Sequence, residues 1–188
     1  MSAVSSVSKE QVIARARAWI ERFVVDLNLC PFARPVVSSD ALRIVACESA
    51  SPEAIATMLI TELDRLSQSS ESDIATSVLV FPEGLEAFDD YLGFLDDAQT
   101  VLEEMGLAGE IQLASFHPDY RFEGEPVDAV SHFTNRAPYP LIHLLRETMV
   151  MTALENYPNP ERIPERNIQT LERLGLAGIE RLLHSLEC

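Results

Sequence analysis

Ser115, His117 and Asp119 stand at alternate positions of the stretch SFHPDYRFEG. In an extended chain that spacing projects a hydroxyl, an imidazole and a carboxylate to one side, although Pro118 bends the chain before Asp119. Such a set suits proton transfer, because imidazole changes charge near neutral pH and a nearby carboxylate can orient it. The same residues also suit a structural part, with His117 bonded to a neighbouring carbonyl and Asp119 shaping a turn. A second cluster follows in NRAPYPLIHLLRE, which gathers Asn135, Arg136, Tyr139, His143 and Arg146. Read as a helix, PLIHLLRETMVMTAL puts Leu141, Leu144, Leu145, Thr148 and Thr152 on one face. His143, Arg146 and Glu147 then share the other face with Val150 and Leu154, so the helix is covered on more than one side. A partly buried Arg146 needs a partner, either a protein carboxylate or an anionic ligand. Asn135 and Arg136 add an amide and a second guanidinium at the start of that helix, an arrangement that attracts anions.

Cys30, in the LCPF turn, is a nucleophile only with a histidine in hydrogen-bond reach, His117 or His143, and is otherwise a small buried apolar side chain. His117, His132, His143, Asp119 and Glu123 show neither H-x-x-x-H nor H-E-x-x-H spacing, so no metal site is assigned. Walker A and G-x-G-x-x-G loops are absent from the sequence, and the cofactor is left open. The candidate catalytic residues are thus His117, His143, Cys30 and Asp119; the candidate ligand contacts are Asn135, Arg136, Arg146, Tyr139 and Ser115.

These residues need elements to position them. SKEQVIARARAWIERFVVDLNLC carries apolar residues at helical spacing behind a Ser8/Gln11 capping box, and Pro31 ends it. ALRIVAC, IATSVLVF and EIQLASF read as strands, separated by a helix opened at Ser51-Pro52 and an acidic helix closed by Gly106. Long crossovers between such strands imply parallel pairing. The expected architecture is α/β: one domain over 1–188, with a small, mainly parallel sheet of three or slightly more strands flanked by helices. Residues 1–8 are expected to be flexible, and 159–188 to form a C-terminal helical extension. In such a sheet ligands collect beyond the carboxyl ends of the strands, where SFHPD begins.

The charge narrows the partners. The chain's net charge is −16, and residues 48–110 hold fifteen acids against Arg65 alone. A field of that sign repels phosphate backbones, which argues against nucleic acid. The start, MSAVSSVSKE, has no apolar core of a signal peptide, and no run reaches membrane-spanning length. Three cysteines without C-x-x-C spacing fit a reducing cytoplasm.

WIERFVVDLNLCPFA, SFHPDYRFEG and NRAPYPLIHLLRE, in this order, resemble the bacterial domain-of-unknown-function family 1415. The resemblance spans nearly the whole chain and implies a soluble bacterial domain; it brings no activity, cofactor or catalytic residue with it. The residues themselves point to an enzyme or binding protein for a small anionic molecule. Two alternatives stand beside it: an acidic, non-catalytic interaction protein whose polar cluster is structural, with its protein partner open, and a metal-dependent enzyme using His117 and His143.

Overall fold

A computed structural model describes residues 7–186. Most of the start expected to be flexible, and Cys188, lie outside the described residues. Ser8 lies within them and caps helix α1 (Lys9–Trp19): its hydroxyl accepts from Gln11 N–H while its own N–H donates to the Gln11 side chain. The helix then widens into a π-helical turn, Ile20–Val25, marked by Asp26 N–H donating to Glu21 O at 3.0 Å and Leu29 N–H to Val24 O at 2.9 Å. Asn28 takes the left-handed conformation (φ 54°) that breaks the turn before Cys30.

Short helix α2 (Ala33–Val37) leads to β1 (Leu42–Ala46), and Ser51 caps α3 (Pro52–Gln68). Next come β2 (Thr76–Val80), α4 (Phe88–Glu104) and β3 (Ile111–Phe116). After a long loop with one 3-10 turn (Val130–Thr134) the chain forms β4 (Leu141–Arg146) and α5 (Glu147–Glu155). Helices α6 (Ile163–Leu174) and α7 (Leu176–His184) end the described chain.

The four strands lie in the order β1-β2-β4-β3. β1 and β2 are parallel, whereas β4 runs antiparallel to both β2 and β3. Two expectations are corrected here. Leu141–Arg146 is a strand, not the first turns of a helix, and the sheet is four-stranded and mixed rather than mainly parallel. β4 is central and covered on both faces, so it reads as a nearly continuous apolar run without the alternation that betrays a half-buried strand.

Alternation then sorts the sheet into two cores. Leu42, Ala46, Val78, Val80 and Leu141 face Val12, Ala16, Trp19 and Phe23, with Leu171 and Ile179 completing that layer. Leu79, Phe81, Ile142, Leu144 and Ile111 face Ile55, Leu59, Leu63 and Leu66 of α3 and Tyr91, Ala98 and Leu102 of α4. The result is helices, sheet, helices. Tyr91 closes the end of the ladder: its hydroxyl donates to Leu141 O at 2.7 Å and accepts from Phe116 N–H at 3.0 Å. Gly84 (φ 94°) lets the loop after β2 close on the loop after β1, since a Cβ there would sit 2.9 Å from Ala50 O.

Candidate functional site

Helix α1 rests mainly on β1 and β2 and meets β3 at its last residue, Trp19, whose ring packs edge-on against Phe116 at 5.3 Å. The space left is a cavity of about 520 Å³. Its floor is the sheet: Thr76 and Val78 of β2, Leu141, His143 and Leu145 of β4, and Gln112, Ala114 and Phe116 of β3. Its walls are Trp19 and the π-helical turn, the Cys30–Phe32 turn, α2, and Met149, Val150 and Ala153 of α5. The lining is overwhelmingly apolar. Its polar side chains are Cys30, Thr76, Gln112, His143 and Arg146.

His143 is the best-defined of these. Thr76 Oγ1 donates its single proton to Leu144 O at 2.6 Å, so the 2.5 Å contact between Thr76 Oγ1 and His143 Nε2 must carry the imidazole's proton. Nε2 is therefore protonated, and burial disfavours a second proton on Nδ1, which leaves the ring neutral. Burial pushes its pKa down from 6.5 to about 4. Burial also pushes the Cys30 thiol upward, and the weaker pull of the Phe32 and Ala33 backbone N–H groups does not reverse this. Cys30 is accordingly a poor nucleophile near neutral pH.

Arg146 borders the same cavity, but its partners are neither of the expected kinds. Nη2 donates to Leu66 O (2.8 Å), Ser69 O (2.6 Å) and Ile74 O (3.0 Å), and Nε donates to Ile74 O (3.2 Å). Leu66 lies in the last turn of α3, where unpaired carbonyls and the helix dipole together attract a cation. Arg146 thus caps a helix from a neighbouring strand.

His117 is elsewhere. It follows β3 on the face opposite His143, wholly buried between Phe88 and Tyr91. Its Nδ1 accepts from Asp119 N–H at 3.0 Å, which leaves Nε2–H to donate to Leu85 O at 3.0 Å. Register gives the separation: His143 pairs with Ala114, three residues back along β3, and Arg146 with Ile111. At roughly 3.4 Å per residue those offsets are about 10 and 20 Å along the strand. The expected union of His117, His143 and Arg146 in one site is therefore corrected. The hollow that His143 and Arg146 border lies on the sheet's face, not beyond the carboxyl ends of the parallel strands.

The remaining candidates brace the long loop. Asn135 Nδ2 donates to Ser115 O at 3.0 Å, and Asn135 O accepts from His117 N–H at 3.1 Å. The Ser115 hydroxyl meets Tyr120 OH at 3.1 Å. Arg136 stacks on Phe133, 4.4 Å from its ring centre, and donates to Tyr120 O at 3.3 Å. Burial lowers the Arg136 pKa, partly offset by the charge of Asp119. Tyr139 lies beneath Arg15. His132 repeats the pattern of His117, accepting from Phe122 N–H on Nδ1 and facing Pro126 O with Nε2. Among the described residues no three His, Cys, Asp or Glu side chains converge as metal ligands.

A second hollow of about 560 Å³ adjoins the first, sharing Val24, Cys30 and Phe116, and is lined by Glu123, Glu125, Ser131, Thr134, Asn135 and Asn167 among others. Of the sequence candidates, Cys30, His143 and Arg146 thus meet at one cavity, and Cys30 and Asn135 at the other. Sequence reasoning missed Thr76, Gln112 and Trp19. Thr76 had a readable signal, being the polar member of the Thr76, Val78, Val80 face of TSVLV.

No curated protein and no solved structure matches the chain. The model of the family described as "Protein of unknown function (DUF1415)" matches residues 11–181, and the chain belongs to that family.

Proposed function

We propose that this member of the DUF1415 family binds a small, largely apolar molecule in the cavity between β4, the π-helical turn and α5. The observation that carries the reading is the cavity itself: its volume of about 520 Å³ lies within the range of small-molecule sites, roughly 300–1,000 Å³, and its walls are apolar with a few polar groups on one side. The anion expected from sequence rested on an Arg146 without a partner, and the α3 carbonyls take that place. Holding a ligand suits the site better than converting one, because His143 is a weak base and the Cys30 thiol resists ionisation. A cytosolic setting belongs to the same proposal. Cys30 and Cys47 are free thiols, and no helix among the described residues is long and apolar enough to cross a membrane.

The alternative of a structural polar cluster draws support from His117, Asn135 and Arg146, all of which bond to backbone. Its docking half has only the exposed carboxylates of α4 behind it, such as Asp89, Asp90, Asp96 and Asp97. The proposal is tested with a neutral apolar dye, N-phenylnaphthylamine. Saturable fluorescence enhancement is expected, and it should be lost in Ala114→Phe, which fills the cavity floor, while that variant keeps its native circular dichroism. Dye binding unchanged in a folded Ala114→Phe protein, or no saturable binding at all, would sink the proposal.

A further inference from the structure

We infer that the ligand of this cavity carries an uncharged hydrogen-bond-donating head group, an alcohol or phenol, seated on His143 Nδ1, with its apolar body lying toward Trp19, Phe116 and α5. This deepens the proposed function and rests on it. The argument is one of proton counting. A threonine hydroxyl has one proton, and Thr76 donates it to Leu144 O, which as a carbonyl can only accept. His143 therefore has its proton on Nε2, aimed at Thr76 Oγ1, and Nδ1 has only a lone pair to offer. No hydrogen bond reaches Nδ1 among the described residues, and it is not among their sealed, unpartnered atoms, so it retains accessible surface. Alternation along β4 puts His143 on the cavity face with Leu141 and Leu145, so that surface opens on the hollow.

A lone acceptor in an apolar chamber selects by what it lacks. An ether offers it no proton, and a carboxylate brings a second set of lone pairs plus the cost of shedding water. Gln112 lies near on the same face, across the register from Leu145; its amide both donates and accepts, so it adds affinity without preference. Arg146 borders the cavity but turns Nε and Nη2 toward Ile74, Leu66 and Ser69. The indole Nε1 of Trp19 is buried without a partner beside the cavity. A donor-only group, it serves a hydroxyl and an ether oxygen alike, so the choice between those two falls to His143.

Three probes with one body separate the claims: hydroxybiphenyl, methoxybiphenyl and biphenylcarboxylate, titrated calorimetrically into the full chain. Hydroxybiphenyl should bind about ten-fold more tightly than the methyl ether, in line with one net hydrogen bond, and the carboxylate most weakly. His143→Phe should erase the hydroxyl-over-ether preference while still binding the ether. Should that variant not fold, the wild-type imidazole answers alone: its Nδ1 resonance should be that of an unprotonated nitrogen, and should move with hydroxybiphenyl but not with methoxybiphenyl. Equal affinity for hydroxyl and ether, or a proton found on Nδ1, overturns the inference and leaves the apolar site standing. A carboxylate that binds best overturns it in favour of an anion. If none of the three binds, the inference falls together with the proposed function.

Discussion

At the scale of single residues, the histidines show how one side-chain type divides between opposite duties. His117 and His132 each spend both ring nitrogens on backbone groups of loops, whereas His143 spends one and leaves the other to the cavity. Nothing in the sequence separates these fates, because the partners Leu85, Phe122 and Thr76 are fixed only by the fold. His143 has a measurable signature. Its imidazole titrates near 6.5 in the unfolded chain and at about 4 in the folded one. Between those values the unfolded state binds more protons, so folding stability falls as pH drops through that window and loses nothing further from this group below it. The depth is roughly 3 kcal/mol. Urea unfolding at a series of pH values should therefore show wild type falling more steeply than His143→Phe between about pH 6.5 and 4, in line with the linkage relation. Parallel curves in that range would place the imidazole in water and remove it from the cavity.

The elements carried most of what could be read. The Ser8 capping box, the Ser51-Pro52 start of α3 and the Gly106 stop after α4 are local devices, with cause and effect a few residues apart. LIHLLR is different. Leucine-rich and preceded by Pro138 and Pro140, it satisfies helix and buried strand alike, and only pairing with Thr76–Val80 on one side and Ile111–Phe116 on the other decides. Misreading it moved Arg146 from a strand end, where it reaches the last turn of α3, to a helix face looking for an anion. The cap gives this its test. Arg146→Ala strands the carbonyls of Ser69 and Ile74, takes from Leu66 O its second donor beside Ser69 N–H, and should lower the unfolding free energy by roughly 3 kcal/mol. Arg146→Lys, a point donor in place of a fork, should lose about half as much. A loss below about 0.5 kcal/mol for Arg146→Ala, the usual size of a surface change, would mean that the guanidinium is not holding α3.

Across the whole molecule, sequence reading obtained the directions of β1, β2 and β3 and missed the strand inserted between β2 and β3. That insertion explains the location of the site. With β4 in the middle, the face of β3 and β4 opposite α3 and α4 needs a cover, and α1 rests mainly on β1 and β2, meeting β3 at Trp19 against Phe116. The cover is α2, the π-helical turn and α5; neither α2 nor α5 has a fully buried residue. A void of about 520 Å³ follows from that mismatch between a four-stranded floor and a partial roof. Apolar voids stay dry and admit xenon, whereas polar ones fill with bridging water. A crystal of the protein pressurised with xenon should show the gas between His143 and Leu145 on the floor and Met149 and Val150 on the roof. A hollow packed instead with ordered waters hydrogen-bonded wall to wall, and no xenon, would contradict an apolar binding chamber.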